Sequence, residues 1–148
     1  MKKIVNKKAT FNYEILDTYT AGIELTGIEV KSIKTHNVSF EGAFVILKNN
    51  ELFLKKLHIS PYQEKNTPQS YDPVRLRKLL LTKKEILEIQ KKLNQRGLTL
   101  IPLSMYNKGT KLKVDIAIVR GKKIHDKRNS LKDRDNKRDV QRTLKNQY

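Results

Sequence analysis

The sequence predicts a mainly β protein with helices: a closed or nearly closed antiparallel barrel of about six strands, a flanking helix and a basic C-terminal tail. Three observations lead there. Apolar and β-branched residues recur with a period of two in several short runs separated by turn signals, which places alternate side chains on one face of a sheet. One stretch, after Thr82, carries a helix start signal followed by apolar residues at helical spacing. The composition then changes at Gly121, beyond which charged and polar residues dominate.

Length and charge bound the rest. With 148 residues, 37% of them hydrophobic, the chain can bury one modest core, so the expected organisation is one domain over 1–120 and a tail over 121–148. The 32 Lys and Arg against 15 Asp and Glu give a formal charge of +17 at pH 7, a surface that seeks polyanions, nucleic acid before an anionic membrane. The absence of cysteine excludes disulfides, thiolate zinc sites and thiol catalysis, and suits a reducing cytoplasm. Met1 to Lys8 has no apolar core of a signal peptide, and nothing approaches the roughly 18 apolar residues of a membrane span, so a soluble cytoplasmic protein is expected.

In chain order, Phe11, Tyr13, Ile15, Asp17 and Tyr19 alternate with other residues as a first strand, and Thr20, Ala21 and Gly22 offer a tight turn. The run from Gly22 to Lys34, GIELTGIEVKSIK, then reads as one long strand with a bulge at Gly27: Ile23, Leu25, Ile28 and Val30 face the core, Glu29 and Lys31 face out. Ala43–Leu47 and Leu52–Ile59 flank Asn49 and Asn50, which tolerate positive φ, so a hairpin is predicted. Ile59 to Pro73, with three of the four prolines, is a loop. VRLRKLLL from Val74 is a helix start or a buried strand, which periodicity alone does not separate. Thr82 and Glu85 form a capping box; Ile86, Ile89 and Leu93 share the following helix's face, and Gly97 ends it. Leu98–Tyr106 and Leu112–Val119, joined through Asn107, Lys108 and Gly109, make a second hairpin. Six short strands and one helix suit a small barrel of the OB type. In the tail, Ile124, Leu131, Val140, Leu144 and Tyr148 are too sparse to form a core, while Asp133 with Lys137, Asp135 with Arg138 and Asp139 with Arg142 have helical spacing. Such a segment orders on a partner.

Two chemistries compete for these residues. Asp17, then Glu29 and Lys31 in a Glu-x-Lys arrangement, has the order of a Mg²⁺-dependent nuclease, with two carboxylates for the metal and a Lys for the attacking water. His125 and Asp126 form a lone pair without further ligands, since His36 and His58 are isolated. No phosphate loop or nucleophile elbow is present, so no catalytic residue, metal or cofactor is expected in the preferred reading. RNA binding draws on more of the chain: Asn6, Lys7 and Lys8, then Lys31 and Lys34, then Arg75, Arg77 and Lys78, with Phe11, Tyr13, Tyr62 and Tyr106 available for stacking.

The motifs NKKA (6–9), AGIELTGIEVKSIK (21–34), DPVRLRKLLL (72–81), KVDIAIVRGKK (113–123) and HDKR (125–128) together resemble the tmRNA-binding small protein B family of bacterial trans-translation. The resemblance implies an OB-type barrel that binds the tRNA-like domain of tmRNA and delivers it to stalled ribosomes, as a monomer and without a cofactor. It also implies a tail that enters the empty mRNA channel near the decoding centre and folds there as a helix. On the RNA face or its support it places Asn6, Lys7, Lys8, Gly22, Glu29, Lys31 and Ser32. Lys34, Arg75, Arg77, Lys78, Lys122 and Lys123 join them as basic candidates. The ribosome-reading tail takes His125, Asp126, Lys127, Arg128, Lys132, Arg134, Lys137 and Arg138. One departure stands out: Thr20 occupies a place that is often acidic in the family, so an RNA contact ordered by a carboxylate there must rely on a hydroxyl.

Overall fold

The computed structural model describes residues 1–121. The candidates Lys122, Lys123, His125, Asp126, Lys127, Arg128, Lys132, Arg134, Lys137 and Arg138 lie outside the described residues. In order, the elements are β1 (Ile4–Val5), α1 (Ala9–Asn12), β2 (Tyr13–Ile23), α2 (Gly27–Lys34), β3 (Val38–Ser39), β4 (Phe44–Lys48), β5 (Glu51–Lys55), β6 (His58–Ile59), a 3₁₀ turn (Glu64–Asn66), β7 (Arg77–Leu80), α3 (Lys83–Leu93), β8 (Leu98–Lys108) and β9 (Lys111–Gly121).

Six strands follow one another as β8, β4, β5, β7, β2 and β9, and β9 returns to β8, so the antiparallel sheet is ring-like. The seam between β4 and β8 is thin, a single pair of Val45 with Leu100. The expected mainly β, nearly closed arrangement of about six strands is therefore what the chain adopts. β1 extends the edge of β8, and β3 pairs with β6 in a separate two-stranded sheet. The register slips between Ile15 and Asp17 on β2 and between Pro102 and Ser104 on β8. Such bulges bend long strands, and a proline, which has no N–H to give the ladder, sits naturally at one.

The core fills the ring from both sides of the sequence. Leu52, Leu54, Leu79, Leu100, Met105, Val114, Ile116 and Ile118 are buried together, and α3 adds Ile89 with Ile86 and Leu93 packed beside it. On the sheet's other face Ala9 of α1 covers Ile101, Ala117 and Val119 in a second, smaller cluster. Residues 116 to 119 of β9 are thus buried on both faces, the situation that produces a continuous apolar run rather than an alternating one.

The hairpins form where Asn and Gly allow them. Asn49 and Asn50 take φ of 52° and 61°, the pair of left-handed residues that matches the twist of two strands, and Lys48 faces Glu51 across the turn. The second hairpin turns at Gly109, φ 63°, so β8 runs through Asn107 and Lys108 where a loop was expected. Within VRLRKLLL, Arg77–Leu80 resolves as strand: β7 lies between β5 and β2. The helix after Thr82 forms with both hydrogen bonds of its capping box, but it ends at Leu93 with Asn94 as C-cap; Gly97, φ 79°, turns the chain into β8 instead.

The stretch from Gly22 to Lys34 differs from its expected form. Thr20 to Gly22 is strand interior rather than turn, because β2 runs on to Ile23 in register with β9. From Gly27 the chain is helical, with Thr26 as N-cap. Ile23 and Leu25 do pack on the core, whereas Ile28 and Val30 do not; α2 buries Ile33 there instead.

Candidate nucleic-acid interface

α2 begins with Thr26 in an extended conformation, its hydroxyl accepting from the Glu29 N–H at 3.4 Å while Glu29 Oε1 accepts from the Thr26 N–H at 2.8 Å. This reciprocal box satisfies two donors that a helix start would otherwise leave open. The same carboxylate is 1% exposed. Its Oε1 also accepts from Arg75 Nη2 at 2.6 Å and its Oε2 from Arg77 Nε at 2.5 Å. Arg77 is itself fully buried and donates Nη1 to the Leu57 carbonyl (2.6 Å) and Nη2 to the Pro73 carbonyl (3.0 Å). A buried ion pair is tolerable only when its remaining hydrogen-bonding groups are met, and here every guanidinium nitrogen of Arg77 has an acceptor. Burial pushes the Glu29 carboxyl up, but Arg75, the Thr26 N–H and Arg77 outweigh it and hold the group below its ordinary value.

That network reassigns several candidates. Glu29 does not face outward with Lys31, because the segment is a helix and places the two on different sides: Glu29 inward, Lys31 exposed. Ser32 and Arg77 are buried as well, so neither can touch a phosphate from where it sits. Arg75 is partly exposed but spends Nη2 on Glu29, and Lys78 pairs with Glu51 at 3.2 Å. Lys31 and Lys34 lie on the open side of α2, Lys31 with its ammonium 6.0 Å from the Tyr62 ring centre. The nuclease arrangement does not form either. Glu29 is saturated by two guanidinium groups, and Asp17 is paired with Lys92 at 3.2 Å on the side of β2 that meets α3.

Gly22 sits where three strands converge. It pairs with Leu80 of β7 and with Lys113 of β9, and a Cβ built on it would lie 3.2 Å from the Leu80 Cβ, so the close approach of β7 favours glycine. Around it opens a cleft of about 380 Å³ lined by Gly22, Lys34, Leu80, Lys111 and Lys113 among others. None of these three lysines has an ion-pair partner among the described residues, while Leu80 is 47% exposed beside them. Uncommitted cations around a bare backbone suit a phosphate chain that must come close. Lys111 and Lys113 were not singled out from the sequence, although the alternation KLKVDI, with Leu112 and Val114 turned inward, already puts both on the outer face.

The N-terminal candidates separate. Asn6 ties the chain to β8, donating its N–H to the Leu103 carbonyl and Nδ2 to the Pro102 carbonyl, each at 2.8 Å. Lys7 and Lys8 precede α1 and are exposed, Lys8 within 3.8 Å of an equally exposed Glu41. They do not line the Gly22 cleft.

The family model described as SmpB protein matches residues 3–146, nearly the whole chain. The chain belongs to the SmpB family. Among its relatives, the SsrA-binding protein of Gloeothece citriformis is 49% identical over 140 residues, covering 95% of this chain and 90% of that one. The SsrA-binding protein of Thermosynechococcus vestitus is 46% identical over 140 residues, covering 95% and 92%. A solved chain described as "tmRNA-SmpB: a journey to the center of the bacterial ribosome" superposes with a TM-score of 0.69 at 44% identity, covering 82% of this chain and 85% of that one. Among the described residues no helix of this SmpB family member is long and apolar enough to cross a membrane.

Proposed function

We propose that this chain is an RNA-binding protein of trans-translation: it binds the tRNA-like domain of tmRNA and delivers it to stalled ribosomes, in the cytoplasm, as a monomer and without catalysis. The observation that carries the reading is the cluster of Lys34, Lys111 and Lys113 around Gly22, uncommitted to any acid among the described residues, in a chain matched over 3–146 by the SmpB model. The relatives' name, SsrA-binding protein, and the description of the solved chain, which speaks of tmRNA-SmpB and the bacterial ribosome, support this choice of partners. In this reading Glu29 and Arg77 support the RNA face by fixing α2, whose Lys31 and Lys34 are then presented outward. Residues 122–148 serve the ribosome: Asp126, Lys127, Arg128, Lys132 and Arg134 contact the decoding region and mRNA channel.

Two measurements test it. Filter binding of tmRNA to the full chain should weaken steeply with salt, and Lys113→Ala should lower both the affinity and the salt slope by about one counterion; affinity indifferent to salt would contradict a phosphate interface. Deleting residues 122–148 should leave tmRNA binding nearly intact while abolishing peptide tagging on stalled ribosomes. Equal loss of both activities would refute the division between ring and tail.

A further inference from the structure

Beside the Gly22 cleft, the outer face of β2, β9 and β8 carries a second ordered group that the cleft does not explain. Residues 113 and 115 point away from the core that Val114 and Ile116 fill. Across the three strands they form two rows: Gly22, Lys113 and Tyr106, then Thr20, Asp115 and Ser104. Asp115 gathers the second row and reaches into the first. Its Oδ1 accepts from the Tyr106 hydroxyl at 2.9 Å and from the Thr20 hydroxyl at 3.0 Å, and its Oδ2 from Ser104 Oγ at 3.4 Å. Lys3, just before β1, brings its ammonium to 3.9 Å from the same carboxylate and 5.3 Å from the centre of the Tyr106 ring.

An aromatic ring anchored at its hydroxyl and shadowed by a cation is a prepared surface. The bond to Asp115 raises the Tyr106 phenol above its ordinary value and holds the hydroxyl as the donor. Lys3 is 56% exposed, and an exposed ammonium over a ring is held only weakly, so a nucleobase can take its place over the ring while the ammonium turns to the adjoining phosphate. Tyr106 lies in the same row as Lys113 and Gly22, two inter-strand spacings across, about 10 Å, so one strand of RNA can span them.

We propose that Tyr106 and Lys3, held in place by Asp115, form a base-stacking and phosphate contact for a nucleotide of the same RNA that occupies the Gly22 cleft. This rests on the RNA-binding reading above. Tyr106 and Lys3 touch the RNA; Asp115 is a positioning residue.

The test is tmRNA affinity of full-chain variants over a range of salt, with thermal unfolding to show that each is folded. Tyr106→Ala should lose about tenfold or more in affinity with little change in salt slope, as base stacking does. Tyr106→Phe should recover part of that loss because the ring remains. Lys3→Ala should lower the slope by about one counterion. Asp115→Asn should weaken binding although it removes a negative charge, and Asp115→Glu should restore it. The proposal is overturned if Tyr106→Ala and Lys3→Ala bind as wild type while Lys113→Ala is impaired, or if Asp115→Asn binds more tightly. A wild type without affinity for tmRNA overturns the reading beneath it.

Discussion

The two longer helices start alike and are used differently. α2 and α3 both open with Thr-x-x-Glu, and in both the Thr hydroxyl and the Glu carboxylate cap each other's backbone N–H. At α3 the box is exposed: among the described residues Glu85 bonds only to Thr82 within its own turn. At α2 the carboxylate is buried and also holds Arg75 and Arg77, partners from 46 and 48 residues away. A local motif thus fixes where a helix starts, while burial decides whether its acid becomes a joint between distant segments. In α2 that joint fastens the helix to the backbone at Leu57, just before β6, and at Pro73, where the long loop ends.

Breaking each box separately tests the contrast. Glu29→Ala leaves the Arg77 guanidinium buried without its counter-charge and should cost about 3–5 kcal/mol in urea unfolding; a loss under 1 kcal/mol would show that the joint is dispensable. An intermediate effect is expected from pH. Because the Glu29 carboxyl is held below its ordinary value, its contribution is fully present above the ordinary Glu range and is lost as pH falls through the lowered folded value. Glu29→Gln should remove that part of the acid sensitivity, whereas Glu85→Gln should keep it; identical acid profiles for the two variants would contradict the assignment. The smallest effect belongs to the exposed box: Thr82→Ala should cost about 1 kcal/mol, an ordinary lost N-cap, read as a small fall in midpoint without a change in tmRNA affinity.

The same contrast explains what could be read from the sequence. α3 was legible because its capping box is followed by Ile86, Ile89 and Leu93 at helical spacing. α2 was not, since Ile23, Leu25, Ile28 and Val30 mimic two phases of a bulged strand, and Gly27 at the first helical position looks like the bulge itself. The hairpin at Asn49 and Asn50 was legible because positive φ is a property of those two residues. Arg75, Arg77 and Lys78 look like one basic cluster, yet Arg75 and Arg77 both turn to Glu29 while Lys78 pairs with Glu51, and what sends Arg77 inward is an acid 48 residues distant that no local pattern reports. The cleft around Gly22 needed the pairing of β2 with β7 and β9, which brings Lys111 and Lys113 beside it.

The pairing of β2 with β9 has a consequence for reach. Both strands have 11 residues and run antiparallel from Gly22 with Lys113 at one end, through the register slip between Ile15 and Asp17, to Tyr13 with Gly121 at the other. At about 3.3 Å per residue the paired span makes a strut of somewhat under 30 Å. If RNA is held at the Lys113 end, as proposed, Gly121 lies at the opposite end of the ladder, so the ladder sets the distance between the proposed RNA site and the point where residue 122 begins. Its length is set by hydrogen bonds, two residues at a time, and a paired insertion in both strands would lengthen it by about 7 Å without altering either end.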